Sequence, residues 1–506
     1  MPDGTRAANA EPRRQVNRVP SLNSQSVRAA IHIAAIFGIY LSLAMLVPAF
    51  VDFYFRNPDW QVFALSAFFT GGLSLATALA TQGRNVTANA RFGFLIVNLL
   101  WATTAFVGAV PLMASSLSLD LADAVFESVS ALTTTGSTVI VGLDTLPPGL
   151  LIWRSLLQWI GGLGVIVLGL LILPFLNIGG VSYFKLESSD IEDRPFERLS
   201  VFIMSILGIY SSLTFACAIA YAAAGMSGFD AVNHAMTTLS TGGYSTHDSS
   251  FGFFGDNLAL LWIASVFMFV GGLPFSILAL LAFRGRLDAA RDPQIRAFAL
   301  YVLFFAVAVA IYVRINTGQP FFAVFTHSMF NFVSIITTTG YASQDYSTWG
   351  AFAVACAFIA TFLGGCSGST AGGIKAYRFI ILFELMGNGL RRLVYPSSVH
   401  TVRYGDRPVD DDMQRAVVLF IASFFVIWVA TTVLLAGTGL DFMTSLTGAL
   451  TALTNVGPGL GDVIGPAGNF STIPDPAKWV LVLAMLLGRL EILTVLVIFA
   501  PVFWRR

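Results

Sequence analysis

Four short apolar segments with a common ending decide the fold, and one of them reads FTHSMFNFVSIITTTGY over residues 325–341. The other three are DAVFESVSALTTTGS (123–137), DAVNHAMTTLSTGGY (230–244) and DFMTSLTGALTALTNVGPG (441–459). Each combines a stretch of helix-forming residues, too short to cross a membrane, with a turn that a glycine marks. The marker glycines are Gly136, Gly242, Gly340 and Gly457. They recur roughly every hundred residues, so the chain contains four copies of one unit.

The sequence around these segments is strongly apolar. The chain of 506 residues is 56% hydrophobic and 11% charged, with a mean hydropathy of +0.76. A soluble domain carries about a quarter charged residues, so this chain lacks the polar surface to cover itself. Ten stretches are long enough to cross about 30 Å of hydrocarbon as helices. They are 29–51, 61–81, 93–113, 153–176, 199–223, 257–283, 297–313, 351–383, 414–437 and 478–503. We therefore predict an all-α polytopic membrane protein.

A half-helix followed by a glycine turn is expected near the middle of a bilayer. Twelve residues of helix reach about 18 Å, which is roughly halfway across. Asp123, Asp230 and Asp441 stand where an N-cap carboxylate would lie at the outer end. The C-terminal ends then lie near the midplane, where their dipoles favour a cation. Because non-helical backbone survives there only beside a wet cavity or inside protein, four such turns predict a ring of carbonyl oxygens that can replace an ion's hydration shell.

The order of the spans and short segments predicts the domain organisation. Each short segment lies between two spans, giving units of helix, half-helix, glycine turn and helix, and two extra spans precede the four units. The predicted divisions are a disordered cytoplasmic tail (1–28), two extra transmembrane helices (29–84) and pore repeats over 85–180, 181–285, 286–390 and 391–506. We expect the four repeats to be pseudo-symmetric around a central pore.

The basic residues set the predicted orientation. With ten spans and the N-terminus inside, 22 of the 28 lysines and arginines fall on inner segments, whereas 13 of the 28 acidic residues fall on outer ones. The positive-inside rule therefore predicts that both termini are cytoplasmic. The acidic outer face would concentrate cations near the surface.

Six motifs in the chain resemble those of a known family. They are WRSLLQWIGGLGVIVL (153–168), TGGYSTHD (241–248), ITTTGYASQDY (336–346), GGCSGSTAGGIK (364–375), TNVGPGLG (454–461) and LLGRLEILT (486–494). Together they resemble the TrkH-type potassium uptake membrane subunits of the Trk/Ktr/HKT superfamily, over about residues 30 to 504. The two extra N-terminal spans also match the TrkH type rather than the Ktr type. The resemblance implies potassium uptake across the bacterial inner membrane and no enzymatic activity.

The resemblance implies a selectivity filter that includes one glycine from each repeat. The implied filter residues are Thr134, Thr135, Gly136, Ser240, Thr241, Gly242, Thr338, Thr339, Gly340, Asn455, Val456 and Gly457. K⁺ is the implied transported ion, and no cofactor is implied on this chain. Because the four turns differ from one another, we expect looser discrimination than in a tetrameric channel. A Na⁺-preferring or poorly selective monovalent cation transporter of the same superfamily therefore stays an alternative.

The stretch FLGGCSGSTAGGIK (362–375) interrupts the second span of the third repeat. A phosphate-binding loop would need lysine where Ile374 stands, so nucleotide binding is not predicted. The glycines cannot hold a firm helix, whereas Ser367, Ser369 and Thr370 can satisfy freed backbone groups. The resemblance implies a flexible gate on the cytoplasmic side of the pore, and a helix kink without a gating role is the alternative. The implied gate residues are Gly364, Gly365, Ser367, Gly368, Gly372, Gly373, Lys375, Arg489 and Glu491.

Two cations belong to this predicted gate. Arg489 lies within an apolar run, where a charge costs about 2.5–3.5 kcal/mol on insertion scales and is usually functional. The resemblance implies that Arg489 projects into the pore and opposes the passage of cations. Lys375 either contributes to the same barrier or snorkels to the inner interface. Glu491 is too near Arg489 in sequence to share its face, and a residue from a different helix could pair with it.

Partners are also implied by the resemblance. They are a second copy in a homodimer with one pore in each protomer, the lipid membrane, and a cytosolic TrkA-like nucleotide-binding regulatory subunit; nucleic acid is not among them. The segments 185–198 and 284–296 are either docking sites or solvated loops, and gated channel flow and H⁺-coupled symport both stay open. His234 and His327 are interpreted as structural side chains.

An intramembrane aspartyl protease is an alternative from another class of protein. The tetrapeptide GLGD at 459–462 matches the G-x-G-D motif of that class. The Tyr-Asp motif expected on an earlier span is missing, and Asp462 is predicted to lie on an outer loop.

Overall fold

The computed structural model describes residues 24–83, 90–176, 195–285, 291–397 and 400–504. Outside these residues lie most of the predicted tail and most of the candidate docking segment 185–198. Residues 286–290 of the second candidate docking segment, 284–296, also lie outside them. The first helix begins at Ser24, five residues before the predicted start of the first span at residue 29. Within the described residues, seven helices are long and apolar enough to cross a membrane, and the number is nine if each of two bent helix pairs is one span.

The helices follow the predicted order of two extra spans and four repeats. The extra spans are α1 (Ser24–Ala44) with α2 (Leu46–Tyr54), and α3 (Trp60–Thr81). Repeat 1 contains α4 (Ala90–Ala114), α5 (Leu121–Leu132) and α6 (Pro148–Leu176). Repeat 2 contains α7 (Pro195–Ala223), α8 (Gly228–Leu239), α9 (Leu258–Gly271) and α10 (Phe275–Arg284). The half-helices of these two repeats are α5 and α8.

The second half of the chain repeats this order. Repeat 3 contains α11 (Pro293–Thr317), α12 (Phe321–Ile336), α13 (Ala351–Phe362) and α14 (Ala376–Val394). An antiparallel β-hairpin follows, formed by β1 (Arg403–Tyr404) and β2 (Arg407–Pro408). Repeat 4 contains α15 (Asp411–Gly437), α16 (Phe442–Thr454), α17 (Asp475–Arg489) and α18 (Ile492–Phe499), with α19 (Pro501–Trp504) after it. The half-helices here are α12 and α16.

The half-helices begin with caps that differ in part from the prediction. Asp441 caps α16 as predicted, since its carboxylate accepts a hydrogen bond from an amide of the first turn. The caps of α5 and α8 are instead Asp120 and Ser227. The predicted caps, Asp123 and Asp230, lie three residues further on, in the first helical turn. The prediction was wrong there because acidic residues are typical both of N-caps and of first turns, and only the backbone geometry separates the two positions.

The second helix of three repeats is broken next to its half-helix. The axes of α9 and α10 meet at 98°, and those of α17 and α18 meet at 115°. In repeat 3 the break is longer and comprises residues 363–375, between α13 and α14. The predicted span 351–383 is therefore two helices joined by a segment that we call the 363–375 loop. In repeat 1, α6 is continuous.

Glycines let these second helices touch the ends of the half-helices. Gly161, Gly271 and Gly488 occupy equivalent positions in repeats 1, 2 and 4. A Cβ atom added to Gly161 or Gly488 would overlap a backbone carbonyl at the end of the half-helix, and one added to Gly271 would lie 3.2 Å from it. The carbonyls belong to Leu132, Leu453 and Leu239, respectively. This close packing holds the C-terminal ends of the half-helices at the centre of the protein.

Two hydrophobic clusters hold the repeats in pairs. One cluster joins repeats 1 and 4 with the extra spans and includes the buried residues Phe126, Trp153 and Leu450. The other joins repeats 2 and 3 and includes Phe298 and Phe330. The turns that follow the half-helices therefore lie between two packed halves.

Candidate functional site

The turns that follow the four half-helices match residue by residue in backbone conformation. The first and third residues of each turn have positive φ angles. The first residues are Thr134, Thr241, Thr338 and Asn455, with φ between 51° and 58°. The third residues are Gly136, Gly243, Gly340 and Gly457, with φ between 76° and 106°. We call the segments turn 1 (134–136), turn 2 (241–243), turn 3 (338–340) and turn 4 (455–457).

The register of turn 2 differs by one residue from the prediction. Gly242 was expected to be the equivalent of Gly136, but the residue with the matching positive φ is Gly243. The Gly242 amide donates to a carbonyl in the last turn of its half-helix, as the Thr135 amide does in repeat 1. Gly242 is therefore the second residue of turn 2, and Ser240 is the C-cap of α8. Two adjacent glycines conceal this register in the sequence.

The four turns form a closed ring of contacts. The third residue of each turn packs against the carbonyl of the second residue of the next turn, and turn 4 returns to turn 1. A Cβ added to Gly136 would overlap the carbonyl oxygen of Gly242, and one added to Gly243 would overlap that of Thr339. A Cβ added to Gly340 would overlap the carbonyl oxygen of Val456, and one added to Gly457 would lie 2.6 Å from that of Thr135. Only glycine combines the positive φ with so close an approach of backbone to backbone. The predicted convergence of the four turns is confirmed.

Backbone strain accompanies this ring. A β-branched residue with positive φ is unusual, and each such residue costs on the order of 1–3 kcal/mol. Thr134, Thr241 and Thr338 all adopt this conformation at matching positions. The Thr134 hydroxyl is also buried and has no hydrogen-bond partner among the described residues. Strain that recurs in matched positions indicates a functional site.

Tyrosines that follow two of the turns connect neighbouring repeats. The Tyr244 hydroxyl lies 3.1 Å from the carbonyl oxygens of Glu127 and Ser137 in repeat 1. The Tyr341 hydroxyl lies 3.3 Å from the carbonyl oxygen of His234 in repeat 2, which is the position equivalent to Glu127. Our sequence analysis did not single out these tyrosines, although a tyrosine directly after the turn in both TGGY and TTGY is a visible signal.

In three of the half-helices, the side chain at one equivalent position forms a hydrogen bond to the segment that follows the turn. In repeat 1 the Glu127 carboxylate accepts from the amide of Val139 at 3.0 Å. The equivalent residues are His234, whose Nε2 lies 3.0 Å from the Ser245 hydroxyl, and Asn331, whose side chain accepts from the Ser343 amide at 3.1 Å. These contacts fix the exits of the turns.

The two half-helix histidines have partners, in agreement with the structural interpretation. Besides its Ser245 contact, His234 places Nδ1 2.9 Å from the Asp230 carbonyl oxygen. His327 places Nδ1 3.0 Å from the Ser343 hydroxyl.

A buried ion pair stands behind turn 1. The Arg154 Nε atom lies 2.8 Å from a carboxylate oxygen of Glu127, and the two side chains are 2% and 0% exposed. Arg154 also donates to the Ser245 carbonyl at 3.2 Å and stacks 4.1 Å from the ring centroid of Tyr244. The pair therefore links the half-helix of repeat 1 to the segment after turn 2. This pair was not predicted, because Glu127 and Arg154 show no shared sequence pattern.

The 363–375 loop lies directly against the ends of three half-helices. The Gly372 amide donates to the Thr338 hydroxyl of turn 3 at 2.6 Å. The Gly373 amide donates to the Thr454 carbonyl at the end of α16, at 2.8 Å. The Thr370 hydroxyl lies 3.1 Å from the last carbonyl of α8. The loop thus covers one opening of the ring on the sides of repeats 2, 3 and 4.

The loop is folded and hydrogen-bonded within itself. The Gly364 amide donates to the Ile374 carbonyl at 3.0 Å, which closes the base of the loop. Ser369 donates to the Cys366 carbonyl at 2.6 Å, as expected of a hydroxyl that satisfies freed backbone. The predicted break in the helix is confirmed, since thirteen residues, 363–375, leave the helix. The flexible segment that we expected is in fact held by bonds at its base and its tip.

Some predicted gate residues lie away from the ring. The Ser367 amide donates to the side chain of Gln294 at 2.9 Å, and the Gly368 carbonyl accepts from the Phe275 amide at 3.0 Å. These residues hold the loop to α11 and α10 instead of to the turns.

The side chains of Arg489 and Lys375 donate hydrogen bonds to backbone carbonyls of the loop. Arg489 is 7% exposed and donates to the Thr370 carbonyl at 2.8 Å, while its Nε and Nη2 atoms have no partner among the described residues. The Lys375 ammonium turns back to the Ala371 carbonyl, which argues against snorkelling. In the part of the chain that the structure describes, neither cation has a carboxylate partner. Two positive charges are therefore held beside the loop.

Glu491 forms its ion pair with a different helix, as expected. Its carboxylate lies 2.6 Å from Arg378 of α14. Glu491 has a φ angle of 63° at the bend between α17 and α18, so the pair joins the bend of repeat 4 to the helix that follows the loop.

The position of Arg489 is also a sequence signal that we did not use. Repeats 1 to 3 contain paired glycines in IGGL, VGGL and LGGC, where repeat 4 has LGRL. Arg489 therefore occupies the position of Gly162, Gly272 and Gly365.

The segment after turn 2 joins repeats 1 and 2. The His247 ring places Nδ1 2.5 Å from the Asp144 carboxylate, and Nε2 lies 3.7 Å from Asp230. Partial burial lowers the pKa of His247, but the hydrogen bonds and charges of these two carboxylates outweigh it and raise the pKa above the ordinary 6.5. The hydrogen bond from His247 lowers the pKa of Asp144. Asp462, the residue of the protease alternative, is exposed in the segment after turn 4.

Comparison with known proteins agrees with this geometry. The family model TrkH, described as a cation transport protein, matches residues 59–506. The Trk system potassium uptake protein TrkI of Halomonas elongata is 44% identical over 477 residues, which cover 94% of this chain and 96% of that protein. The Trk system potassium uptake protein TrkH of Escherichia coli is 35% identical over 94% of this chain and 99% of its own.

A solved structure has the same architecture. The crystal structure of the potassium transporter TrkH from Vibrio parahaemolyticus superposes with a TM-score of 0.88 at 34% identity, covering 96% of this chain and 100% of that one. Four helical repeats whose turns close into a ring, and a family match over most of the length, lead to one conclusion: this multi-pass membrane protein belongs to the TrkH family of cation transport proteins.

Proposed function

We propose that this chain is the membrane subunit of a potassium uptake system and that K⁺ crosses through the ring of four turns. The observation that supports this most directly is the closed ring of glycines and carbonyls at the ends of four half-helices. Carbonyl oxygens in such a ring replace the hydration shell of a cation, and the helix C-termini add negative potential. The names of the relatives, which are potassium uptake proteins, support K⁺ as the substrate.

The proposed filter comprises the four turns in the register of the structure. It contains Thr134–Gly136, Thr241–Gly243, Thr338–Gly340 and Asn455–Gly457, so Gly243 takes the part first given to Gly242 and Ser240 leaves the set. Turn 4 departs from the others because the side-chain Nδ2 of Asn455 donates to the Thr135 hydroxyl at 2.9 Å. This asymmetry supports looser discrimination than four identical turns would give.

The proposed gate consists of the 363–375 loop together with Arg489 and Lys375. The loop occupies the space next to turns 3 and 4. Lys375 within the loop and Arg489 beside it have no carboxylate partner among the described residues, and both oppose a permeating K⁺ by Coulomb repulsion. Opening requires the loop to leave its bonds with Thr338 and Thr454.

The proposal includes partners and location. We infer a homodimer in the bacterial inner membrane with both termini in the cytoplasm, and a cytosolic TrkA-like nucleotide-binding regulatory subunit. The concentration of basic residues on the predicted inner segments supports this orientation. The naming of relatives as parts of a Trk system supports a multi-component assembly.

Growth rescue tests the transported ion. A bacterium that lacks its own potassium uptake systems should grow at low external K⁺ when it expresses this chain, and should not grow with the empty vector. Absence of rescue despite membrane insertion, with Na⁺ uptake in tracer assays, would favour the Na⁺-preferring alternative.

Gly340→Ser tests the filter within the same assay. It should lower K⁺/Na⁺ discrimination, because the added side chain meets the Val456 carbonyl at a φ of 81°. The matched control is Gly225→Ser, since Gly225 has a φ of 107° but no atoms within 4 Å of an added Cβ. Equal selectivity in both variants would remove turn 3 from the filter.

A further inference from the structure

We propose that Tyr404, on the β-hairpin between α14 and α15, is a positioning residue for the 363–375 loop and acts through Asp292 and Gln294. Movement of the hairpin would then change how often the loop leaves the ring. The consequence for ion flux rests on the proposed function, whereas the contact chain itself can be tested without transport.

The chain of contacts begins at the loop. The amide of Ser367 donates to the side-chain oxygen of Gln294 at 2.9 Å. Gln294 lies in the first turn of α11 and is 1% exposed, and its Nε2 atom has no partner among the described residues. The position of the Gln294 side chain is thus set by the backbone of α11 and by one hydrogen bond to the loop.

The backbone of Gln294 is held in turn by the hairpin. Its amide donates to the Asp292 carboxylate at 2.9 Å and to the Tyr404 hydroxyl at 3.2 Å. The Tyr404 hydroxyl donates to the same carboxylate oxygen of Asp292 at 2.5 Å. One hydroxyl on β1 therefore completes the N-cap of α11, the helix that holds the loop.

Close packing makes this connection stiff. A Cβ added to Gly405 in the hairpin turn would lie 3.0 Å from the Pro293 ring at the start of α11. Tyr404 and Val402 also belong to a small buried cluster with Tyr377 and Ile381 of α14. The hairpin therefore contacts both α11, whose Gln294 holds Ser367, and α14, which begins directly after the loop.

The polar links run from the Tyr404 hydroxyl through Asp292 and Gln294 to the Ser367 amide. Loss of the Tyr404 hydroxyl removes one of the two acceptors of the Gln294 amide and one donor to Asp292. A hydrogen bond of this kind stabilises by an amount that corresponds to about a three- to tenfold change in an equilibrium. The open fraction of the loop should change by that factor.

Hydrogen exchange measures the coupling directly. The full-length protein in lipid nanodiscs is compared with Tyr404→Phe and with Gln294→Met, which keeps the volume of the side chain but removes its polar atoms. Both variants should raise the exchange rate of the amides in 363–376 about three- to tenfold. The double variant should not exceed the larger single effect, because both changes act on one chain of contacts.

Two control variants separate this role from a general loss of stability. Tyr312→Phe and Gln319→Ala make comparable changes near the other end of α11 and should leave loop exchange unchanged. Unchanged loop exchange in Tyr404→Phe, or effects of the two changes that simply add, would overturn the proposal.

Ion flux supplies the functional readout. In proteoliposomes, Tyr404→Phe should raise basal K⁺ flux by the same factor and leave the K⁺/Na⁺ ratio unchanged, since the turns are not altered. A wild-type protein without K⁺ flux would contradict the proposed function, and the exchange experiment would still decide the role of Tyr404. Faster loop exchange without a change in the flux of a conducting protein would refute the effect on opening.

Discussion

Removal of the Glu127 carboxylate is expected to destabilise the protein strongly. In the wild type this carboxylate pairs with Arg154 at 2.8 Å and accepts from the Thr138 hydroxyl and the Val139 amide at 3.0 Å each. Glu127→Ala leaves the guanidinium of Arg154, which is 2% exposed, without a counter-charge. Breaking a buried pair from one side costs about 3–5 kcal/mol. Glu127→Gln keeps the shape and loses the charge, so we expect about 1.5–3 kcal/mol.

Thermal unfolding of the purified protein in detergent checks this order. The midpoint should fall for Glu127→Gln and fall further for Glu127→Ala. In a double-mutant cycle, Glu127→Ala and Arg154→Ala should be coupled by about 0.5–3 kcal/mol, because either single change already breaks the pair. The control is Asp475→Asn, which removes a 55% exposed carboxylate that lies 3.1 Å from Lys478 and should cost less than about 1 kcal/mol.

The same variants test the link between the pair and the ring. Because Glu127 holds Val139 and Arg154 holds the Ser245 carbonyl, Glu127→Gln should also lower K⁺/Na⁺ discrimination. If Glu127→Ala had the same thermal midpoint as the wild type, or if the double-mutant cycle showed no coupling, the buried pair would not contribute as its burial predicts.

Three further outcomes are expected. Gly243→Ala should abolish growth rescue, since its Cβ would overlap the Thr339 carbonyl at a φ of 76°; tolerance of alanine would contradict the corrected register. Arg489→Ala should increase single-channel conductance or tracer flux, and Arg489→Lys should not, because the barrier is electrostatic; equal flux in both would disprove it. His247→Gln should destabilise the protein most below pH 6.5, because the raised pKa of His247 means that its charged pair with Asp144 stabilises the folded state there. The destabilisation should become smaller as the pH rises through the pKa of the folded state, and thermal melting at several pH values measures it.

The eighth predicted span shows how far a hydrophobic pattern predicts structure. Residues 351–383 are apolar enough to cross, and the glycines within them predict a break. The folded shape of the 363–375 loop could not be predicted, because its bonds go to Thr338 and Thr454 in other segments. The conformation of residues 363–375 within that span therefore depends on contacts with other repeats.

The turns show the same division at the level of single residues. The four glycine turns follow from recurrence along the chain, and three of the four marker glycines have the expected conformation. Turn 2 offers two adjacent glycines, and its register is decided by the Thr339 carbonyl, which leaves no room for a Cβ at Gly243. Likewise, the sequence pattern led us to expect Asp123 as the cap of α5, and only the backbone at the start of α5 identifies Asp120.

The amino-acid sequence by itself determined the class of the protein, the four-fold repeat and the place of the turns. These features depend on hydropathy and on residue types that recur along the chain, which are local properties. The tertiary structure alone decided the order of contacts around the ring, the register of turn 2, the Glu127–Arg154 pair and the link from Tyr404 to the loop. The physical reason is that each of these joins residues far apart in sequence, whose contact depends on how the helices pack.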